Sequence, residues 1–180
     1  MNVKKFIASK RAFSAPWAVI IALIGIMFFT AASQYIRLMI IASGVRDAVQ
    51  SAVIATATEN YGNLYNGIRE GYAGGYTLTG DSWSERLSGG SVYSRLGRLL
   101  GITSNGGKYT KFNSDGEEFS VYGLSTTVEN APFAPSSTDG IQQFEATTFI
   151  DLEVPLSFCS EILPPMKIRL RVKSKYTPKF

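Results

Sequence analysis

Residues 13–60 read FSAPWAVIIALIGIMFFTAASQYIRLMIIASGVRDAVQSAVIATATEN, and the rest of the chain is organised around them. From Phe13 to Ala32 no residue is charged. That is about 20 residues, enough to cross a hydrocarbon core as a helix. Beyond Ser33 there is no proline until Pro132, and the apolar residues keep helical spacing. Leu38, Ile41, Val45, Ala48 with Val49, and Ala52 fall on one face, as steps of three and four require. Arg37, Ser43, Asp47, Gln50 and Thr58 fall largely elsewhere. The pattern predicts one continuous helix of about 44 residues, roughly 66 Å long, membrane-embedded at its start and amphipathic afterwards. Its packing face is Leu38, Ile41, Val45, Val49 and Ala52.

Residues 1–12 contain Lys4, Lys5, Lys10 and Arg11 and no acid. These four account for the whole net charge of +4, because the other 14 basic residues balance the 14 acidic ones. The basic pI therefore reflects a cationic leader on a near-neutral chain and does not imply a nucleic-acid partner. By the positive-inside rule the leader stays cytoplasmic and residues 61–180 are exported as one small domain. A cleaved secretory signal is the competing reading of residues 1–32. Its apolar run would be longer than the usual ~7–15 residues, and cleavage near Ala31–Ser33 would leave the amphipathic helix uncovered.

Pro16 falls near the first turn of the expected helix, where a missing N–H costs little. Trp17 suits one membrane interface, and Tyr35 with a snorkelling Arg37 suits the other. Ser43-Gly44 is a candidate flexible point, since glycine inside a helix costs about 1 kcal/mol against alanine. Residues 60–107 are rich in Gly and Tyr and read as loop, with two short helices inside. One is predicted from Trp83 to Leu87, capped by Asp81-Ser82 with Glu85 in the capping-box position. The other runs from Ser91 to Leu100, with Val92, Leu96, Leu99 and Leu100 on one face and Gly101 as its stop.

From Lys108 the period changes to two. Strands are predicted at 108–113, 117–129, 144–158 and 166–177, with Asn113–Gly116 turning the first into the second and Pro132, Pro135 and Ser136–Gly140 joining the second to the third. In the last strand Met166, Ile168, Leu170, Val172 and Tyr176 alternate with a basic stripe of Lys167, Arg169, Arg171, Lys173 and Lys175. In the third, Ala146, Thr148, Ile150, Leu152 and Val154 point inward and Asp151 and Glu153 outward. If these two strands form a hairpin through Ser160–Pro165, the acids oppose Arg169 or Arg171. The stripe then reads as a partly neutralised solvent face rather than an anion site. The fold class is therefore α+β: a long N-terminal helix packed on an antiparallel sheet of about four strands.

The sequence holds no histidine and one cysteine, Cys159. A Ser-His-Asp or Cys-His catalytic set and a zinc site built from His and Cys are excluded. Cys159 has no intramolecular disulfide partner; it is either a buried apolar residue or half of an intermolecular bridge. There is no Walker motif. The carboxylate pairs Glu117-Glu118 and Asp151/Glu153 carry no other sign of a catalytic cleft. We expect no catalytic residues, cofactor, metal or small-molecule substrate.

A basic leader, a membrane helix that runs on as an amphipathic helix, and a C-terminal antiparallel sheet together resemble the type IV pilins and pseudopilins. Within that group the first 55 residues or so resemble the TadE-type pilin-like proteins of tight-adherence (Flp) pilus systems. The resemblance rests on Arg11-Ala-Phe-Ser-Ala-Pro-Trp-Ala-Val19, on Gln34-Tyr-Ile-Arg37, and on Gly44-Val-Arg-Asp-Ala-Val-Gln-Ser-Ala-Val53. It implies a prepilin-peptidase cut between Ala12 and Phe13, and partners among other pilin-like subunits and the pilus assembly machinery. In one respect the chain departs from the family: prepilins usually carry Glu as the fifth residue after the cut, and here it is Trp17. The expectation is a membrane-anchored minor pilin or assembly component, single-pass, N-terminus cytoplasmic. The alternative is a stationary membrane-anchored binding module.

Overall fold

A computed structural model of the chain describes residues 10–59, 75–79, 82–85, 87, 89–114, 116–130, 143–157 and 163–177, with the backbone alone described for residues 10–15, 77–79, 82, 83, 85 and 130. The expectations placed on residues 1–9, the Gly/Tyr-rich run 60–74, the 131–142 connection and Cys159 lie outside the described residues.

The uninterrupted run of helix-compatible residues forms one helix, α1, Lys10–Thr58. It begins earlier than the apolar run, so Pro16 falls in its second turn and removes the hydrogen bond to the Ala12 carbonyl. No break occurs at Gly44. The chain divides into two compact units, Met1–Ile40 and Ile41–Phe180, with the boundary inside α1. In the first, large apolar side chains are exposed all around the helix: Trp17, Ile21, Leu23, Met27, Phe28 and Phe29 are each more than half exposed. Thr30 Oγ1 donates to the Ile26 carbonyl at 2.8 Å, so the helix satisfies this hydroxyl internally.

In the second unit the same helix buries Ala42, Val45, Val49, Ala52, Val53, Thr56 and Ala57, a stripe at intervals of three and four. Thr56 can sit in this stripe because its Oγ1 donates to the Ala52 carbonyl at 2.8 Å. Beyond α1 come a two-stranded hairpin of β1, Tyr76–Thr79, and β2, Ser82–Glu85, then helix α2, Gly89–Leu100. Five further strands follow: β3, Thr103–Asn105; β4, Lys108–Asn113; β5, Gly116–Asn130; β6, Phe144–Val154; and β7, Met166–Tyr176. They form one sheet in the order β3-β4-β5-β6-β7, and every neighbouring pair is antiparallel.

One face of this sheet is apolar. Phe144, Ala146, Ile150, Leu152 and Val154 of β6, Leu170 and Val172 of β7, and Phe119 and Val121 of β5 are all buried. Together with the α1 stripe and with Val92 and Leu96 of α2 they make the core. Helix α2 is fixed by three polar and aromatic contacts: Tyr93 stacks on Tyr109 of β4 with ring centroids 4.0 Å apart, the Tyr93 hydroxyl accepts from the Leu124 N–H at 3.1 Å, and Arg95 pairs with Glu59 beyond the end of α1 at 2.9 Å. The hairpin begins at Gly75, whose N–H donates to the Ala57 carbonyl. A Cβ at Gly75 would meet Leu87 at 3.2 Å and Phe144 at 3.4 Å, so glycine permits this close packing.

β5 is the irregular strand. Its register against β4 shifts between Lys111 and Phe112, and against β6 it shifts between Tyr122 and Ser125 and between Val128 and Asn130. At the middle bulge, Gly123 and Leu124 stand opposite the single residue Ile150. Gly123 has φ +64°, which a bulge of this kind favours. The bulge reverses the strand's alternation: Phe119 and Val121 point inward before it, Thr126 and Val128 after it. It also turns the Leu124 N–H to Tyr93.

Several expectations need correction. The sheet has five strands rather than four. The extra one, β3, is joined to β4 through Gly106 and Gly107, both at positive φ, the backbone of a tight two-residue hairpin turn. Residues 82–85, expected to open a short helix, are strand: Tyr-Thr-Leu-Thr and Ser-Trp-Ser-Glu pair across Gly80-Asp81, and their Thr, Tyr and Trp residues favour extended backbone. In α2, Leu99 is exposed although Val92 and Leu96 are buried. β6 stops at Val154 rather than 158, before Pro155, which has no N–H for a ladder.

The alternation along β7 gives a direct check. Leu170→Asp places an unpaired charge in the core and should destabilise the full chain in detergent by roughly 3 kcal/mol or more. Arg171→Ser, one residue along on the opposite face, should cost under about 1 kcal/mol. Thermal unfolding followed by near-UV circular dichroism measures both; the reverse order would mean a register shifted by one residue.

Candidate interaction surfaces

The described residues present three surfaces that could meet something outside the chain. The first is the exposed apolar part of α1. Within Pro16–Thr58 the helix is long and apolar enough to cross a membrane. Gly25, on this stretch, has open space where a Cβ would stand. Ala12 and Phe13, the residues of the expected cut, are both helical in backbone.

The expected packing face is divided between the units. Val45, Val49 and Ala52 are fully buried in the second unit, and Ile41 is half-buried. Leu38 belongs to the first unit. The distal part of the face is therefore occupied by the domain's own core. Ala42, Val53, Thr56 and Ala57, which lie beside the expected packing face, widen the buried stripe; the last three belong to the small-faced run Ser51–Ala57, whose sequence already suits packing against a sheet or sister helices.

The second surface is the outer face of the sheet, built where β6 and β7 pair residue for residue. Glu145 opposes Lys175, Thr147 opposes Lys173, Phe149 opposes Arg171, Asp151 opposes Arg169 and Glu153 opposes Lys167. Three of the five cations have a carboxylate within 4 Å: Lys175 Nζ lies 2.6 Å from Glu145, Arg169 Nε 3.7 Å from Asp151, and Lys167 Nζ 3.7 Å from Glu153. Arg171 and Arg169 both lie over the Phe149 ring, at 5.8 and 5.5 Å from its centre, within cation–π range. A Cβ at Gly123 would come 2.8 Å from Asp151 Oδ2, so a larger residue there would displace the end of that side chain as well as strain the backbone.

Glu153 is the residue that the sequence pattern placed correctly but characterised poorly. It faces outward, yet it is only 8% exposed. Lys108, reaching from β4 across β5, donates to its Oε2 at 2.7 Å with its ammonium 5.1 Å from the centre of the Tyr122 ring. No sequence spacing indicates this pair, because the two residues are 45 positions apart and only sheet register joins them.

The third surface is a small cleft of about 110 Å³ lined by Glu117, Glu153, Pro155, Leu156, Leu163 and Pro165. Its one largely buried carboxylate, Glu153, is already held by two lysines, so it is a poor receptor for a further cation. Among the described residues no three His, Cys, Asp or Glu side chains are placed to hold a metal ion.

Three groups in the second unit have shifted protonation. The hydrogen bond to Glu153 raises the Lys108 ammonium above its ordinary 10.5. Burial raises the Tyr93 hydroxyl above 10.0, opposed in part by its bond to the Leu124 backbone. Burial also raises Tyr176. In each case the folded state holds its proton more tightly than the unfolded chain. The resulting stabilisation is complete below the unfolded values and is lost as pH rises past them and through the raised folded values. The melting temperature should therefore be level from pH 7 to 9 and fall above about pH 10. Lys108→Met and Tyr93→Phe should each flatten that fall, as thermal melts of the full chain in detergent between pH 7 and 11 would measure.

No protein-family model, no curated protein and no solved structure matches this chain.

Proposed function

We propose that the protein is a membrane-anchored minor pilin or pilus-assembly component of a tight-adherence or related secretion system, acting through helix packing and subunit contact rather than catalysis. The observation that carries this reading is the double use of α1. One continuous helix, Lys10–Thr58, exposes apolar side chains through its first part and buries Val45, Val49, Ala52 and Val53 in a folded domain through its last. A helix serving as an anchor alone needs only about 20 residues. A subunit that must leave the bilayer and pack beside its neighbours needs a helix firmly joined to its domain. In this reading the basic leader stays in the cytoplasm, the domain lies outside, and the stretch before Ile41 is left for lipid or sister helices.

Trp17 in place of a Glu favours the alternative, a stationary anchored binding module, because the carboxylate that usually sets register between subunits is missing. The two readings differ in what the domain needs from α1. Residues 35–180 and 61–180, expressed separately, should behave differently: the longer fragment soluble and cooperatively folded, the shorter one aggregated or melting early. Equal stability of the two would make α1 a mere stalk and favour the binding module. Orientation is tested on intact cells or spheroplasts. External protease should digest the chain beyond residue 60 and leave the N-terminus protected; a protected C-terminal domain would overturn the proposal.

A further inference from the structure

We infer that the edge of β7 is a docking site for an extended acidic segment of another protein, which adds to the sheet as a sixth strand. The inference goes beyond the proposed function and holds whether the chain enters a filament or remains a stationary anchor.

Three observations carry it. First, β7 lies at the end of the sheet, and β6 is its one strand neighbour among the described residues. At eleven residues it is far longer than the opposite edge strand β3, which has three. A long edge strand offers alternate N–H and C=O groups to a new partner. Along Ile168–Ser174 no backbone hydrogen bond from another described segment takes them up. Second, the charge on this edge is incompletely neutralised. Lys167, Arg169 and Lys175 have carboxylates on β6, whereas Arg171 and Lys173 face Phe149 and Thr147 and have no ion pair among the described residues. Both are exposed. Third, the Phe149 ring lies under Arg171 and so limits its freedom on the side facing β6, leaving less to be lost on binding.

The chemistry of the occupant follows. The two unneutralised cations are two residues apart on one face, so a strand laid alongside would bring carboxylates to them at positions i and i+2. A second copy of β7 is a poor occupant, because the strand contains no acidic residue to offer Arg171 and Lys173 and would bring further cations to them. In this chain the acid-apolar-acid strand pattern is found at Asp151-Leu152-Glu153, inside β6, which already has neighbours on both sides. The occupant is therefore a different chain with alternating acidic and apolar residues.

The test uses the full chain in neutral phosphatidylcholine nanodiscs and a blocked heptapeptide of alternating Val and Glu. The peptide should bind, and binding should weaken about tenfold or more as salt rises from 50 to 300 mM. The double variant Arg171→Glu, Lys173→Glu should bind at least tenfold more weakly while its melting temperature stays within about 2 °C of the parent. Two peptides N-methylated at alternate residues, one in each register, separate strand addition from charge attraction: at least one must fail to bind. The proposal is overturned if the Val/Gln peptide binds equally well, if both methylated peptides bind like the parent, or if the double variant binds normally. Displacement of the peptide by phosphatidylserine vesicles but not by phosphatidylcholine vesicles would assign the cations to anionic lipid and overturn it equally.

Discussion

An antiparallel sheet with one apolar face must have that face covered, and here the cover includes a stripe of small side chains on α1. Val45, Val49, Ala52, Val53, Thr56 and Ala57 are all buried. A polar residue is tolerated among them because Thr56 returns its hydrogen bond to the helix's own backbone. The other elements are tied to this arrangement: the hairpin starts on the Ala57 carbonyl, and α2 is linked by Arg95 to Glu59 just past the end of α1. Burying apolar surface along such a stripe, at about 25 cal/mol per Å², is the main favourable contribution available, since a single cysteine leaves no internal disulfide to assist it.

The bulge at Gly123-Leu124 lets one strand serve two neighbours. Its extra residue frees the Leu124 N–H for Tyr93, whose ring also stacks on β4. On the outer side the glycine leaves room for the Asp151 carboxylate, which lies beside Arg169.

Charge on the outer face is graded. Near Glu153 it is overcompensated, with two lysines on one nearly buried carboxylate. Towards the middle of β7 the pairing is looser: Arg171 and Lys173 have no ion pair among the described residues, and the nearby Glu129 carboxylate holds the Thr147 hydroxyl that faces Lys173. Exposed pairs contribute little to stability, so this gradient bears mainly on what the surface can meet. A cationic edge repels its own copy and remains open to an acidic strand.

Much of the architecture was legible in the sequence because it depends on local periodicity. The 3.6-residue period from Leu38 onward identified the helix and the centre of its buried stripe. The two-residue period of β7 set its phase without ambiguity, since every second residue from Lys167 to Lys175 is basic. It also placed Asp151 opposite a cation, now seen to be Arg169. What failed lies where local preference is weak or where a register must be known. Asn105-Gly106-Gly107 is a hairpin signal, but it lies in a Gly-rich stretch whose composition favours loop, which hides β3. Ser82-Trp-Ser-Glu85 carries a capping-box pattern, yet pairing with Tyr76–Thr79 outweighs a helix too short to sustain itself. The bulges of β5 and the Lys108–Glu153 pair join residues far apart along the chain and leave no periodic trace. The sequence alone determined that one helix is apolar enough to cross a membrane and then amphipathic, and that a one-sided sheet follows, because side-chain alternation is a property of the local backbone. Tertiary structure alone decided how many strands the sheet has, where β5 changes phase, and which carboxylate each cation meets, because strand pairing is fixed by contacts between residues distant in the chain.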